Sequence, residues 1–390
     1  MNSGKYVFSQ IVGLVSSTSF QTIVNRYSGD YRVREFSCWK QFLCMVFGQL
    51  THRESLRDTM LCLKANASKA YHLGIGKVVS LSTITRANES RSYQIYEDLA
   101  MFLIKKAKQL YVDDDKLEVS LKNNVFAIDA TTIDLCLSTF YWATFRNTKA
   151  GIKLHTQLDL KTSVPEFILF SNADVHDVNA LDYIQFETNS FYIMDRGYVD
   201  YKRLYKIHSC GAFFVTRAKD NMNFRRLYSH AVDKLKGVLC DQTIVLNNHY
   251  AVKNYPEKIR RIKFRDWETA KTFVFLTNNF HLKATEVAQL YKHRWEIELF
   301  FKWIKQHLKV KSFWGQSENA VRTQVWIAVS VYVLVAIAKK KFMIEQSLYE
   351  ILQILSISIF EKIPVNQLFS QKELQYFKEQ DYKQLSLFDL

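Results

Sequence analysis

Val125-Phe-Ala-Ile-Asp129-Ala-Thr-Thr-Ile133 and Phe191-Tyr-Ile-Met-Asp195-Arg-Gly197 decide how this chain folds. Each sets an aspartate behind four consecutive apolar residues. The first alternates and carries β-branched residues, which reads as a strand. The second is a short apolar run meeting Asp-Arg-Gly, which reads as a buried strand entering a tight turn. An ionised aspartate in such a setting costs several kcal/mol to desolvate unless something pairs it. A metal ion shared by both carboxylates would do so. Taken singly, either aspartate reads equally well as a strand-end cap or turn former.

Outward from these runs, Ile152–Leu160 and Glu166–Phe170 read as strands joined at Val164-Pro165. Asn179–Phe186 reads as a short helix, Asp200–His208 as another, and Ala212–Thr216 as a strand. Three strands, a helix, a strand and a helix is the order of an α/β mixed sheet of the ribonuclease-H type. In such a sheet the first and fourth strands are central neighbours, which would bring Asp129 beside Asp195. A β-rich insertion follows at about 220–278, with strand-like runs at Thr243–Leu246, His249–Val252, Lys258–Phe264 and Thr272–Leu276. Ala284 to about Val310 then reads as one long helix, and helices continue to about Leu368.

That helix carries a third carboxylate. In Tyr291-Lys-His-Arg294-Trp-Glu-Ile-Glu298 and on to Lys305, Tyr291, Arg294, Glu298 and Lys305 fall within an arc of about 60°. Glu296 falls roughly opposite. Arg, Tyr and Lys can each hold a phosphate, which leaves Glu298 for a metal. The plainer reading is an amphipathic helix with an Arg294–Glu298 ion pair. An all-carboxylate ligand set suits Mg²⁺ or Mn²⁺ and not zinc. Two such ions suit in-line displacement at phosphorus.

Bulk composition agrees with a nucleic-acid partner. The 390 residues hold 53 Lys and Arg against 38 Asp and Glu, a formal charge of +15. A polyanion is the natural partner, although a basic but ordinary enzyme has the same charge. Cys38, Cys44, Cys62, Cys136, Cys210 and Cys240 show no zinc-finger spacing, and read as buried thiols of a reducing, cytosolic compartment. No apolar signal-peptide core opens the chain. The most apolar stretch, Val325–Ala338, is shorter than the roughly 20 residues of a membrane span and reads as a buried core helix.

Residues 1 to about 110 read as helical, with segments Ser37–Leu50, Arg53–Leu63 and Ser82–Ala107. Thr51 or Ser55 is the expected N-cap of the second, and Ser82 or Thr83 of the third. The last opens Ser82-Thr83-Ile84-Thr85-Arg86, a helix start that can reach DNA bases and phosphates; a plain helical hairpin has the same pattern.

On these residues the chain resembles the DDE transposases of bacterial insertion sequences. Tyr291, Arg294, Glu298 and Lys305 fit the Tyr-x2-Arg-x3-Glu-x6-Lys signature of the YREK subgroup, the insertion-sequence-four family. Asp129 and Asp195 fit its two aspartate boxes, and a β insertion between Asp195 and Glu298 is usual there. The resemblance implies a ribonuclease-H-like catalytic domain in which Asp129, Asp195 and Glu298 bind two Mg²⁺ or Mn²⁺ ions. It implies binding to terminal inverted repeats, 3′-end hydrolysis, strand transfer and a synaptic homodimer. Tyr291, Arg294 and Lys305 would grip phosphates. In some relatives a Trp of the insertion holds a flipped base; Trp267 is the candidate here, with a small insertion core as its other reading.

The expected organisation is a helical DNA-binding domain over 1–110, with Arg86 as a DNA contact, and a catalytic domain over 120–315. A helical region over 316–390 is a candidate dimerisation element. The expected location is the bacterial cytoplasm, at the nucleoid and away from membranes. A non-catalytic DNA-binding descendant and a metal-dependent nuclease of the same fold are the alternative functions. His176 and Asp177 read as a loop near the metals, with Asp177 as a helix cap the simpler role. Asp134, Asp159 and Asp174 read as second-layer or surface charges, and Asp113–Asp115 as a solvated linker.

Overall fold

A computed structural model describes residues 4–111, 121, 123–146, 149–308 and 313–370. Helices come first: α1 (Val7–Val12), α2 (Ser17–Arg26), α3 (Cys38–Leu50), α4 (Leu56–Ala65), α5 (Ala67–His72), α6 (Leu81–Ser90) and α7 (Gln94–Tyr111). Ser16, Ser37, Ser55 and Ser80 cap α2, α3, α4 and α6, each hydroxyl accepting the N–H three residues on. Ser80 therefore takes the role expected of Ser82 or Thr83, and Thr51 ends α3 rather than opening α4. The expected single helix Ser82–Ala107 is split. Asn319 takes up the broken backbone: its Oδ1 accepts from Tyr93 N at 3.1 Å, and its Nδ2 donates to Asn88 O at 2.8 Å and Arg91 O at 2.6 Å.

The strands are β1 (Val125–Leu135), β2 (Thr144–Arg146), β3 (Lys149–Asp159), β4 (Val164–Asn172), β5 (Phe191–Met194), β6 (Phe213–Arg217), β7 (Phe224–Ser229), β8 (Val238–Leu246), β9 (Ile259–Arg265) and β10 (Thr272–Thr277). They form one sheet in the order β2-β3-β1-β5-β6-β10-β9-β8-β7, with β4 also on β3. β1 runs antiparallel to β3 and parallel to β5, and β5 parallel to β6. Antiparallel strands on one side and parallel ones on the other is the ribonuclease-H pattern expected from the element order. The insertion extends the same sheet, because β10 pairs antiparallel with β6.

Three further local expectations fail. His249–Val252 lies in a helix, α9 (His249–Asn254), where Asn248 caps by accepting from Tyr250 N at 3.1 Å. Short polar caps of this kind override a brief strand-like run. The helix expected over Asp200–His208 is α8 (Tyr201–Ser209), which Asp200 caps by accepting from Arg203 N. Asn179–Phe186 is reduced to a 3₁₀ turn over Asp177–Asp182. The long helix from Ala284 breaks into α10 (Ala284–Lys292) and α11 (Trp295–Leu308). At the break the N–H groups of His293 and Arg294 bond back three residues, to Leu290 O and Tyr291 O, a tighter turn than an α-helix makes. β7, exposed at every residue but Phe224, escapes a periodicity reading because neither of its faces is buried.

The chain continues through α12 (Glu318–Lys341), α13 (Leu348–Ser358) and α14 (Val365–Phe369). α12 is long and apolar enough to cross a membrane, yet 94% of its most apolar window is buried in the protein. It is apolar on all sides because α3, α7, α11 and α13 all pack on it. Trp326 lies 5.3 Å from Phe170 of the sheet, ring to ring, and Tyr111 Oη donates to Ala336 O at 2.8 Å. One apolar core thereby joins the first helices, one face of the sheet and α12. Only Cys38 and Cys44 of the cysteines are buried; Cys136 is exposed.

Alternation along the two central strands assigns each residue to one face of the sheet. Val125 and Ala127, with Phe191 and Ile193, face the core shared with α11 and α12. Phe126 and Ile128, with Tyr192 and Met194, face the core shared with α8. Position 129 and position 195 therefore return to the α11 side.

Candidate active site

Ile128 and Met194 are the last residues paired between β1 and β5. Asp129 comes next on β1 and Asp195 directly after the end of β5, so both stand at the same end of two neighbouring strands, which in a sheet run about 4.8 Å apart. Asp129 is largely buried, its side chain 19% exposed. Its Oδ1 accepts from Ala130 N at 2.8 Å and its Oδ2 from Arg294 Nη1 at 3.0 Å. Burial raises its pKa to about 6; the Ala130 N–H and Arg294 pull it down, while Asp195 and Glu298 push it up. Both other carboxylates are therefore close enough to act on it.

Asp195 caps the 3₁₀ turn Arg196–Tyr198 and accepts from the N–H of Gly197. Its carbonyl is held by Thr216 Oγ1 of β6 at 2.9 Å. Tyr198, at the end of that turn, packs into the core on the α8 side, 1% exposed and with its hydroxyl unpartnered. Burial raises its pKa, and Asp129, Asp177 and Asp195 raise it further.

Glu298 stands in the first turn of α11, which packs against β1. Its Oε1 accepts from Arg294 Nη2 at 2.5 Å, so one guanidinium joins Glu298 to Asp129. Arg294 reaches both because it sits at the break between α10 and α11. Among the described residues no three His, Cys, Asp or Glu side chains stand close enough to hold a metal as they are; Arg294 takes up the room between two of the three. The donors are nonetheless oxygens only, of the kind hard divalent ions prefer.

Lys305 lines a recess of about 540 Å³ with Asp129, Thr131, Glu298, Phe301 and Lys302. Lys302 went unread in the sequence, being one cation among many. Tyr291 and Arg294 open instead on a pocket of about 500 Å³, lined also by Trp267, Phe273, Phe275, Trp295 and Arg217. The Tyr291 ring lies 4.8 Å from that of Phe275. Trp267, on the β9–β10 turn, is 57% exposed with the Arg265 guanidinium 4.8 Å over its ring. It therefore packs no insertion core. Trp295, 49% exposed and next in sequence to Arg294, was missed; an exposed Trp beside an anion-binding Arg was the available signal.

Arg86 lies far along the chain in a separate groove of about 830 Å³, with Arg34, Lys77, Ser80, Thr83 and Arg91. Asp177 caps nothing: Lys153 pairs with it at 2.9 Å, and His176 is the cap position. Asp159 is buried at the end of β3, where its Oδ1 accepts from Lys161 N at 2.8 Å. Asp113–Asp115 lie outside the described residues.

Residues 120–334 match the family model described as "Transposase DDE domain". Residues 3–76 match one described as a domain of unknown function, DUF4372. The chain is similar to the transposase-named protein y4zB of Sinorhizobium fredii, 34% identical over 60% of this chain and 66% of that one. It is 27% identical to the transposase-named protein of insertion sequence element IS5377 of Geobacillus stearothermophilus, over 65% of this chain and 66% of that one. A Synechocystis protein named for element IS4SA is 22% identical over 66% and 72%. The chain thus spans about two thirds of the length of these relatives. A solved piggyBac transposase synaptic complex with hairpin DNA matches at a TM-score of 0.47 and 9% identity, over 91% of this chain and 80% of that chain.

Proposed function

The chain belongs to the transposase DDE domain family, and from that premise we propose that it is a DNA transposase of a bacterial insertion sequence, binding the element's terminal inverted repeats, cleaving at its ends and joining them to target DNA. The carrying observation is the bridge from Asp129 through Arg294 to Glu298, with Asp195 on the neighbouring strand. The Arg294–Glu298 part of it is the ion pair the helix alone suggests; its extension to the mostly buried Asp129 on another element is what supports a site that serves cations.

Asp129, Asp195 and Glu298 would hold the divalent ions, Mg²⁺ or Mn²⁺. A pair of them would supply an activated water or 3′-hydroxyl and a steadied leaving oxygen. The remaining work falls to this chain's side chains. Arg294, Tyr291 and Lys305 hold phosphates near the cleaved bond, Arg294 by a two-point fork. The Asp195–Gly197 turn and Thr216 keep the second aspartate aimed at the first. Trp267, Trp295 and Phe273 offer a stacking surface to a base leaving the duplex. The groove at Arg86, with a capped helix start and four cations, suits a DNA backbone. A homodimer at paired ends, working at the nucleoid in the cytoplasm, completes the reading.

The experiment is strand transfer with duplexes carrying the element's ends, mapped from DNA flanking the gene, and Mg²⁺. Cleavage with joining is expected. Cleavage alone would make the protein a nuclease, and binding alone a non-catalytic descendant.

A further inference from the structure

Arg294 occupies the position of a cation. Its two Nη atoms neutralise Asp129 and Glu298, at 3.0 and 2.5 Å. Its side chain is 19% exposed, and its Nε is buried without a partner. An exposed i,i+4 pair alone would contribute little. This one is tied to a buried carboxylate on another element, so the guanidinium is held between them.

A guanidinium stays charged at any pH a protein survives, so it cannot leave by losing a proton. It can leave only for another anion. Its ring-side neighbour, Tyr291, lies 5.9 Å from its Cζ and lines the outer pocket. A phosphate arriving there offers the same two-point acceptor that the carboxylates now share. A divalent ion cannot settle between Asp129 and Glu298 while a second cation is forked across them.

We infer that Arg294 is a shared counter-ion coupling DNA binding to metal loading: without DNA it competes with divalent ions for Asp129 and Glu298, and a DNA phosphate draws it off. This rests on the reading of those carboxylates as metal ligands. Linkage makes the coupling reciprocal, so metal must tighten DNA binding by the factor by which DNA tightens metal binding.

The test is Mn²⁺ binding by electron paramagnetic resonance, with and without a short duplex spanning the element's end. Wild type should bind Mn²⁺ weakly alone and about tenfold or more tightly with DNA, within the usual range of coupled sites. Arg294→Gln should bind Mn²⁺ more tightly than wild type in the absence of DNA and lose most of the DNA effect. Arg294→Lys, which keeps the charge but not the fork, should fall between, and covers the case of a poorly folded Gln variant. Equal or weaker Mn²⁺ binding by both variants without DNA, or an undiminished DNA effect, overturns the coupling. Asp129→Asn separates the two readings. If it leaves Mn²⁺ binding unchanged, the metal site itself is misplaced and the coupling falls with it; if it removes binding while the Arg294 variants behave as wild type, only the coupling fails.

Discussion

Gly197 donates its N–H to Asp195 Oδ1, and a β-carbon built on Gly197 would stand 2.9 Å from that same oxygen. Real β-carbons essentially never come so close, so the carboxylate would have to turn away. Gly197→Ala should therefore disturb the aim of Asp195 more than the fold. Loss of a group that orients a metal ligand typically lowers affinity or activity by about 10- to 100-fold. Cleavage should drop by that order while the melting temperature moves little. A variant that cleaves normally would show that the turn does not set the carboxylate.

Glu298→Gln keeps the shape of the side chain and removes its charge. DNA binding in a gel-shift assay should persist. Cleavage should fall at least about a thousandfold, on the order of 4 kcal/mol of barrier. Normal cleavage would remove Glu298 from the site.

Arg86 is predicted to meet a phosphate from the groove it shares with Arg34 and Lys77. Arg86→Ala should weaken binding to all duplexes alike and lower the slope of log affinity against log salt by about one. An unchanged slope would place the DNA elsewhere.

Arg260 and Asp241, 7% and 6% exposed, form a two-point pair inside the insertion, at 2.9 and 2.7 Å. Arg260 also donates to Leu282 O at 2.5 Å, just before α10. Arg260→Ala leaves a buried carboxylate alone and should cost about 3–5 kcal/mol in denaturant unfolding. The apolar pair Arg260→Met with Asp241→Leu should recover much of that loss. If the double variant is no better than the single one, the charge left behind is not the cause.

His155, 1% exposed on β3, has its pKa lowered from 6.5 to about 4, by burial first and by Lys153, against a raising effect of Asp177. The folded state thus binds this proton less readily than the unfolded chain. Its contribution is complete above about pH 6.5 and fades as pH falls toward 4, by on the order of 3 kcal/mol. His155→Gln, which can still reach Ser171 Oγ, now 2.8 Å from Nε2, should flatten stability over that interval relative to wild type. Parallel pH curves for the two proteins would exclude the histidine.

Much of the fold was legible because a strand and a helix write different periods into the chain. β1, β5, β6, α8 and α12 announce themselves in that way. Where a single polar contact decides, periodicity misleads: Asn319 splits the helix at residue 91, and Asn248 turns a strand-like run into α9. The signature on α10–α11 was readable as a list of residue types, but the helical wheel behind it assumed an unbroken helix.

By itself the amino-acid order determined which residues could do chemistry: two aspartates behind apolar runs, a glutamate four residues after an arginine, and a surplus of cations. Those are local facts, set by side-chain type and by period. Only the folded chain decided that Arg294, paired with Glu298 as the helix alone suggested, also reaches Asp129, that Gly197 crowds Asp195, and that Trp295 joins Trp267 in one pocket. Each depends on strand register, on where a helix breaks, or on which element packs beside it. Those are set by the whole core at once, and no window of neighbouring residues carries them.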